Sequence, residues 1–345
     1  MSMKKVVCVL LAGLVLCSSA VAQKKVHLKI ASMAPSRSPW DIEQRALAQE
    51  WSEITNGQVS ITFYDTLSLG GEKSVIQRIR STRPGRRAVL DGSIFSTIGL
   101  NELAPEANIY TLSMPFLIQN QTELDTVLNR FDYELKSAFR KSGFEVIAWT
   151  NVGWFSFYTK DRFSNLEELK TIQIASAGLD SPVLGDSFRA AGFSIEDMPA
   201  DRVLQSLTSS SGVRGFFGVH LYAYVTGLSK QITYSLDAKL CPVIAGLVLS
   251  NEAWAMIPDQ HKPAMMAAVE RMRKRLSESL EASDQRYIDN MKKEGVTFIT
   301  PTPAELVQWD KSFSADIEKI NRSVPGALDM PFYRKIQDTL GKGRN

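Results

Sequence analysis

From Pro263 to Lys293 the chain carries no glycine and no second proline, and Gly295 ends the run. Within it Met266, Val269, Met272, Leu276, Leu280, Tyr287 and Met291 recur at helical spacing. The pattern predicts one uninterrupted amphipathic helix. Thirty residues at about 1.5 Å each reach roughly 45 Å, more than the width of a small domain. A helix of that length has to brace two bodies. The length of 345 residues agrees, since a domain takes roughly 100–200 residues.

The start of the chain stands apart. Lys4 and Lys5 precede an apolar run from Val6 to Cys17, followed by Ser18-Ser19-Ala20-Val21-Ala22. A basic start, a short apolar centre and an Ala-x-Ala end describe a secretory signal peptide cleaved after Ala22. The run is shorter than the ~20 apolar residues that a spanning helix needs. Two rival readings make Cys17 a lipid-modified N-terminus, against which bulky Leu16 stands, or keep the segment as an anchor. Cleavage removes Cys8 and Cys17, so Cys241 stands alone and no internal disulfide forms. The formal charge of +3 falls further with Lys4 and Lys5, and such a balance excludes a nucleic-acid partner. A soluble or surface-tethered protein outside the cytoplasmic membrane, held together by a packed core, is expected.

Strand and helix patterns alternate through the rest, which argues for an α/β fold. Val26–Ala31 reads as a strand. A helix follows with Ser38 as N-cap, Pro39 in first position and Trp40, Leu47, Trp51 and Ile54 as its apolar stripe. Further strands are expected at Val59–Tyr64, near Ala88–Leu90, at Phe144–Trp149 and at Trp154–Tyr158, with helices at Lys73–Arg80 and Glu123–Lys141. A second α/β stretch opens with the alternating segment Thr171–Ile174. It continues through helices at Pro182–Ala191 and Asp201–Leu207 and strands at Val213–Phe217, Ile232–Leu236 and Val243–Ser250. Thr208–Gly212 reads as a turn. The tail carries helices at Pro303–Asn321 and Pro331–Leu340.

Catalytic chemistry is hard to find. Gly70–Ser74 (GGEKS) lacks the first glycine of a phosphate loop, and Glu72 separates Gly71 from Lys73. His27, His220 and His261 have no metal-ligand spacing and read as surface or hydrogen-bonded residues. There is no G-x-S-x-G elbow. Arg271, Arg273, Lys274 and Arg275 form a basic run on the long helix that reads as a solvated face, with anionic lipid or a partner as the alternative. An exported two-domain α/β chain of this kind suggests capture of a small ligand between domains.

Five stretches carry a resemblance. IASMAPSRSPWD, then NGQVSITFYDTLSLGGEKSVIQRIRS, SMPFLIQN, NLEELKTIQIASAG and LSNEAWAMIPDQHKPAMMAA follow one another as in DctP-type substrate-binding proteins of TRAP transporters. The match covers nearly the whole chain after the signal. It implies a two-domain periplasmic solute-binding protein with a hinged cleft of crossing strands and one long helix bracing both domains. It implies domain I at 23–150 plus about 237–275, domain II at 151–236 plus about 276–322, and a tail at 323–345 packing on the body. It also implies delivery of the ligand to an ion-gradient-driven membrane permease, with neither enzymatic activity nor cofactor.

The departures from that pattern concern charge. The resemblance places a carboxylate-binding arginine where this chain has Ala175, and a second basic position falls on Phe155. A polar stretch becomes Val213-Arg214-Gly215-Phe216-Phe217-Gly218, with Arg214 most simply in a salt bridge. A carboxylate in such a cleft lacks its counter-charge, and burying an unpaired ion is costly. The expected ligand is therefore apolar or weakly polar. Phe155, Ala175, Phe216, Phe217, Met114, Phe116 and Phe95 are the candidate lining, with Glu72 beside it; each phenylalanine has plain core packing as its alternative. Loss of the arginine also resembles a subgroup that pairs with a tetratricopeptide-repeat lipoprotein. Two other functions stand beside ligand delivery: an interaction or scaffold subunit whose cleft is filled, and an enzyme, for which Glu72 and Asp91 are the nearby titratable groups.

Overall fold

The computed structural model describes residues 25–81, 87–176 and 182–341. The signal peptide, Cys8, Cys17 and the cleavage position lie outside them, as do Ala177 and Gly178. The first part of the chain runs β1 (Val26–Ser32), α1 (Pro39–Ile54), β2 (Val59–Asp65), α2 (Gly71–Arg80), β3 (Gly92–Ser96), α3 (Thr97–Leu103), α4 (Ile109–Leu112), α5 (Gln121–Lys141) and β4 (Phe144–Trp154). It continues with β5 (Ser156–Thr159), α6 (Leu166–Thr171), β6 (Ile174–Ala175), α7 (Pro182–Ala190), β7 (Ile195–Glu196), α8 (Ala200–Thr208), β8 (Gly215–Gly218), α9 (His220–Val225) and β9 (Tyr234–Leu236). The last part is β10 (Pro242–Ser250), α10 (Asn251–Met256), α11 (Lys262–Lys293), β11 (Thr297–Ile299), α12 (Pro303–Ser323) and α13 (Met330–Thr339).

Two sheets form. The first has the order β2-β1-β3-β10-β4, and the second β11-β9-β5-β8-β6-β7. In the first, β1 pairs in parallel with β2 and β3, while β10 runs antiparallel to both β3 and β4. Apolar side chains cover both faces, as buried mixed sheets require. Trp40, Leu47 and Trp51 of α1 pack with Met265, Val269 and Met272 of α11 in one core. Leu124, Phe131 and Phe139 of α5, with Phe332 and Ile336 of α13, fill another. The second sheet has its own pair of cores, one with Phe157, Phe217 and α12, the other with Tyr158, Phe216 and the far end of α11.

α11 spans 32 residues. Met265 to Leu276 belong to the α1 core and Met291 to the second sheet's core, so one helix joins both bodies. Within the expected stripe Met266 is only half-buried, and Met265 and Ala268 take the inward positions. The three arginines of the basic run are paired: Arg271 bonds Glu50 at 2.8 Å, Arg275 bonds Glu43 at 2.8 Å, and Arg273 donates to the Trp149 carbonyl at 3.0 Å, while Lys274 is exposed.

Ser38 caps α1 as expected, its hydroxyl accepting from the Asp41 amide at 3.2 Å. Two strands lie elsewhere than expected. The strand near Ala88–Leu90 is replaced by β3 at Gly92–Ser96. The Asp91 carboxylate takes the Lys29 amide proton at 2.7 Å, and Gly92 starts the strand against β10. A Cβ at Gly92 would lie 2.1 Å from the Val248 carbonyl oxygen, so the ladder closes only beside a glycine. The alternation at Thr171–Ile174 is also misleading. Thr171 ends α6, and β6 keeps only Ile174 and Ala175. Asn165, which caps α6 by accepting from Glu168 N at 2.9 Å, sets that helix three residues into what looks like the strand's lead-in.

The sheets are joined where β4 gives way to β5. The Phe155 amide donates to the Cys241 carbonyl at 3.0 Å, and Trp154 pairs with Pro242. Two chain segments thus cross side by side at the waist.

Candidate functional site

A cavity of about 120 Å³ lies at this waist. Ser96 at the end of β3, Thr97 and Ile98 at the start of α3, Tyr110 in α4 and Ser113–Pro115 after it supply one wall. Phe155 at the join of β4 and β5, with Ser156, Phe157 and Phe217 of the second sheet, supplies another, closed by Leu184, Ser187 and Phe188 of α7 and by Phe193. Phe313, Ile317 and Ile320 of α12 form the third, and Leu240, Cys241 and Val243 the floor. The aromatic wall follows from strand alternation: Phe157 and Phe217 are register partners and point to one face, while Tyr158 and Phe216 point to the other. Phe188 stacks on Phe217 with ring centres 4.4 Å apart, and Phe157 stacks on Phe193 at 5.4 Å. Edge contacts join Phe155 to Phe217 at 5.8 Å.

No Asp, Glu, Lys, Arg or His is among the described lining residues. The serine and threonine hydroxyls that border the cavity have their protons committed to acceptors. Thr97 Oγ1 donates to the Ile244 carbonyl at 2.9 Å, Ser113 Oγ to that of Pro242 at 2.9 Å, Ser156 Oγ to that of Leu236 at 2.5 Å and Ser187 Oγ to that of Val183 at 2.6 Å. Ser96 gives both its amide and its hydroxyl proton to the Glu72 carboxylate, each at 2.6 Å. Burial pushes the Cys241 thiol well above its usual range, so it stays protonated and inert at neutral pH. An anion entering this space would lose water and find no cationic side chain among the described lining residues, which is costly. Among the described residues no group of His, Cys, Asp and Glu could hold a metal ion, and no helix is long and apolar enough to cross a membrane.

The sequence model of the family DctP, described as bacterial extracellular solute-binding protein, family 7, matches residues 30–323. This chain belongs to that family. Solved structures share its fold. A TRAP periplasmic solute-binding protein of Ochrobactrum anthropi, its C-terminus bound in the ligand-binding pocket, aligns with a TM-score of 0.79 at 17% identity, covering 92% of this chain and 97% of that one. One from Chromohalobacter salexigens with bound D-glucuronate gives 0.77 at 16%, covering 90% and 99%. One from Sulfurospirillum deleyianum with bound succinate gives 0.75 at 17%, covering 92% and 99%. No curated protein matches.

Of the residues that the sequence offers as lining, this DctP protein places Phe155, Phe217 and Met114 on the cavity. The other five lie elsewhere. Ala175 is fully buried opposite Phe216, so its side chain shares the Tyr158 face, away from Phe217. Phe216 stacks on Tyr158 at 4.7 Å on that same far face. Phe95 is enclosed in the core under α3 and α5. Phe116 has φ +61°, donates its amide to the Leu240 carbonyl at 2.7 Å and packs on Phe313 behind the wall. Glu72 holds Ser96 from outside the lining. Arg214 forms the expected salt bridge, with Nε 2.8 Å from Asp161 Oδ2. Leu184, Phe188, Phe193, Phe313 and Ile317 escape the sequence reading. Phe313, Ile317 and Ile320 at spacings of four and three look like the stripe of any amphipathic helix.

Proposed function

We propose that this DctP protein is the periplasmic receptor of a TRAP transporter, and that its waist cavity takes a neutral, apolar molecule about the size of one aromatic ring. The observation that carries the ligand class is the lining: phenylalanine, leucine and isoleucine on three sides, with no Asp, Glu, Lys, Arg or His among its described residues. A hydrocarbon-lined cavity of roughly 150 Å³ stays dry and takes up benzene, and 120 Å³ is of that order. The relatives with bound glucuronate and succinate hold acids. The missing counter-charge sets this chain apart from that chemistry. Domain I, at 23–150 plus about 237–275, and domain II, at 151–236 plus about 276–322, are the two bodies that close on the ligand, with 323–345 packed on the first. A cleavable signal ending at Ala22 delivers the chain to the periplasm, and the partner is the TRAP permease. The tetratricopeptide-repeat lipoprotein has no support in the relatives and is no part of this reading. The open volume at the waist weighs against a scaffold with a filled cleft.

Titration calorimetry of the purified protein with toluene, phenol and benzoate at neutral pH tests the ligand class. Toluene should bind tightest. Phenol should be weaker by roughly tenfold, because its hydroxyl is buried without a good partner, at a cost of about 1–3 kcal/mol. Benzoate should not bind. Benzoate binding tighter than toluene would overturn the apolar reading, and no binding of any of the three would move the assignment to a scaffold.

A further inference from the structure

Lys170 and Asp316 form an ion pair of 2.7 Å with side chains only 9% and 2% exposed. Lys170 lies in the last turn of α6, and Asp316 sits within α12 among Phe313, Ile317 and Ile320, the three residues that this helix gives to the cavity. Lys319 takes the second carboxylate oxygen at 2.9 Å. The Lys170 ammonium also lies 5.8 Å from the ring centre of Phe193, another lining residue. One buried pair therefore touches two walls of the cavity from behind.

Stability does not explain such a pair. Removing two charges from water costs several kcal/mol per ion, and well-packed apolar replacements of a buried pair are commonly neutral or stabilising. What the pair supplies is a fixed rotation and axial register, because an apolar seam would let α12 slide while a 2.7 Å contact would not. Sliding by one residue turns the helix by about 100° and carries Phe313 and Ile317 out of the lining.

We infer that Lys170 and Asp316 are positioning residues that pin α12 and Phe193, and thereby set the size of the ligand that the cavity accepts. The role in ligand choice rests on the apolar-ligand reading above; the role in fixing α12 does not. Three variants test it: the double exchange Lys170→Met with Asp316→Leu, the single exchange Asp316→Leu, and the conservative Lys170→Arg. The double variant should unfold at or above the wild-type temperature, while toluene affinity falls by about tenfold and the preference for toluene over naphthalene disappears. Its amides at 313–320 should exchange hydrogen about tenfold faster than wild type. Lys170→Arg should keep both affinity and protection. The single Asp316→Leu should lose stability, since it leaves the buried lysine only the long 3.5 Å contact to exposed Glu167. A double variant with wild-type exchange at 313–320 would overturn the pinning, whatever binds. A double variant with faster exchange but unchanged toluene and naphthalene binding would overturn the link to ligand size. If wild type binds no toluene, the ligand reading fails by itself, and the exchange measurement still decides the pin.

Discussion

Phe217→Ala is the sharpest probe of the waist cavity. Phe217 is 4% exposed and is held by Phe188, Phe155 and Phe157. Losing the burial of a phenylalanine side chain costs roughly 1.5–3 kcal/mol. A void of ~100 Å³ at ~24 cal/mol per Å³ adds about 2.4 kcal/mol. The ring already borders open space on its cavity side, so fewer contacts are lost than in a solid core, and a destabilisation of about 3 kcal/mol is expected. Urea unfolding followed by tryptophan fluorescence measures it. The enlarged space should also accept naphthalene, shifting the naphthalene-to-toluene affinity ratio by about tenfold or more in calorimetry. A stability loss under about 1 kcal/mol together with an unchanged ratio would mean that Phe217 does not bound the ligand space.

Phe155→Arg places a guanidinium at the half-buried join between the sheets; benzoate should then bind at least ~10-fold tighter than to wild type and toluene should be lost, because a bidentate donor supplies what a carboxylate needs. Calorimetry that shows toluene binding intact would take Phe155 out of the site. On the far side of the second sheet, His220 Nδ1 lies 2.5 Å from the Tyr158 hydroxyl, and Nε2 lies 4.0 Å from Asp284. Burial drives His220 down to about 4 and Asp284 up to about 6. The two act in opposite directions. The lowered histidine contributes stability that is full above pH ~6.5 and lost as pH falls towards 4, whereas the raised aspartate contributes stability gained as pH falls below 6. The contributions of these two groups should therefore nearly cancel between pH 6 and 4. Asp284→Asn should lose on the order of 3 kcal/mol over the same window, and a flat urea-midpoint profile in that variant would refute the compensation.

What the sequence makes legible follows from how local each signal is. Helix α11 is plain because its period, its length and the absence of breakers all lie within one stretch. The cap at Ser38 is local chemistry too. The strand at Gly92–Ser96 is hidden because its position depends on Asp91 reaching Lys29 and on Gly92 approaching Val248, contacts across 62 and more than 150 residues. The site divides in the same way. The resemblance puts the loss of positive charge at Ala175 and Phe155, and the loss of polar residues at the Phe216-Phe217 pair. Which of those two phenylalanines faces the cavity depends on the pairing of Phe157 with Phe217, a register that no short window contains. A one-residue step sends Ala175 and Phe216 to the opposite core, and that step separates lining from packing.

The order of the first sheet also governs how the chain can become a protein. β10 lies between β3 and β4, so those two strands never touch and are joined only by a segment that emerges about ninety residues after β4. A growing chain that ends before Pro242 holds two open strand edges with nothing to zip them, and such edges invite pairing with other chains. This half of the sheet therefore closes only once a late nine-residue strand has arrived.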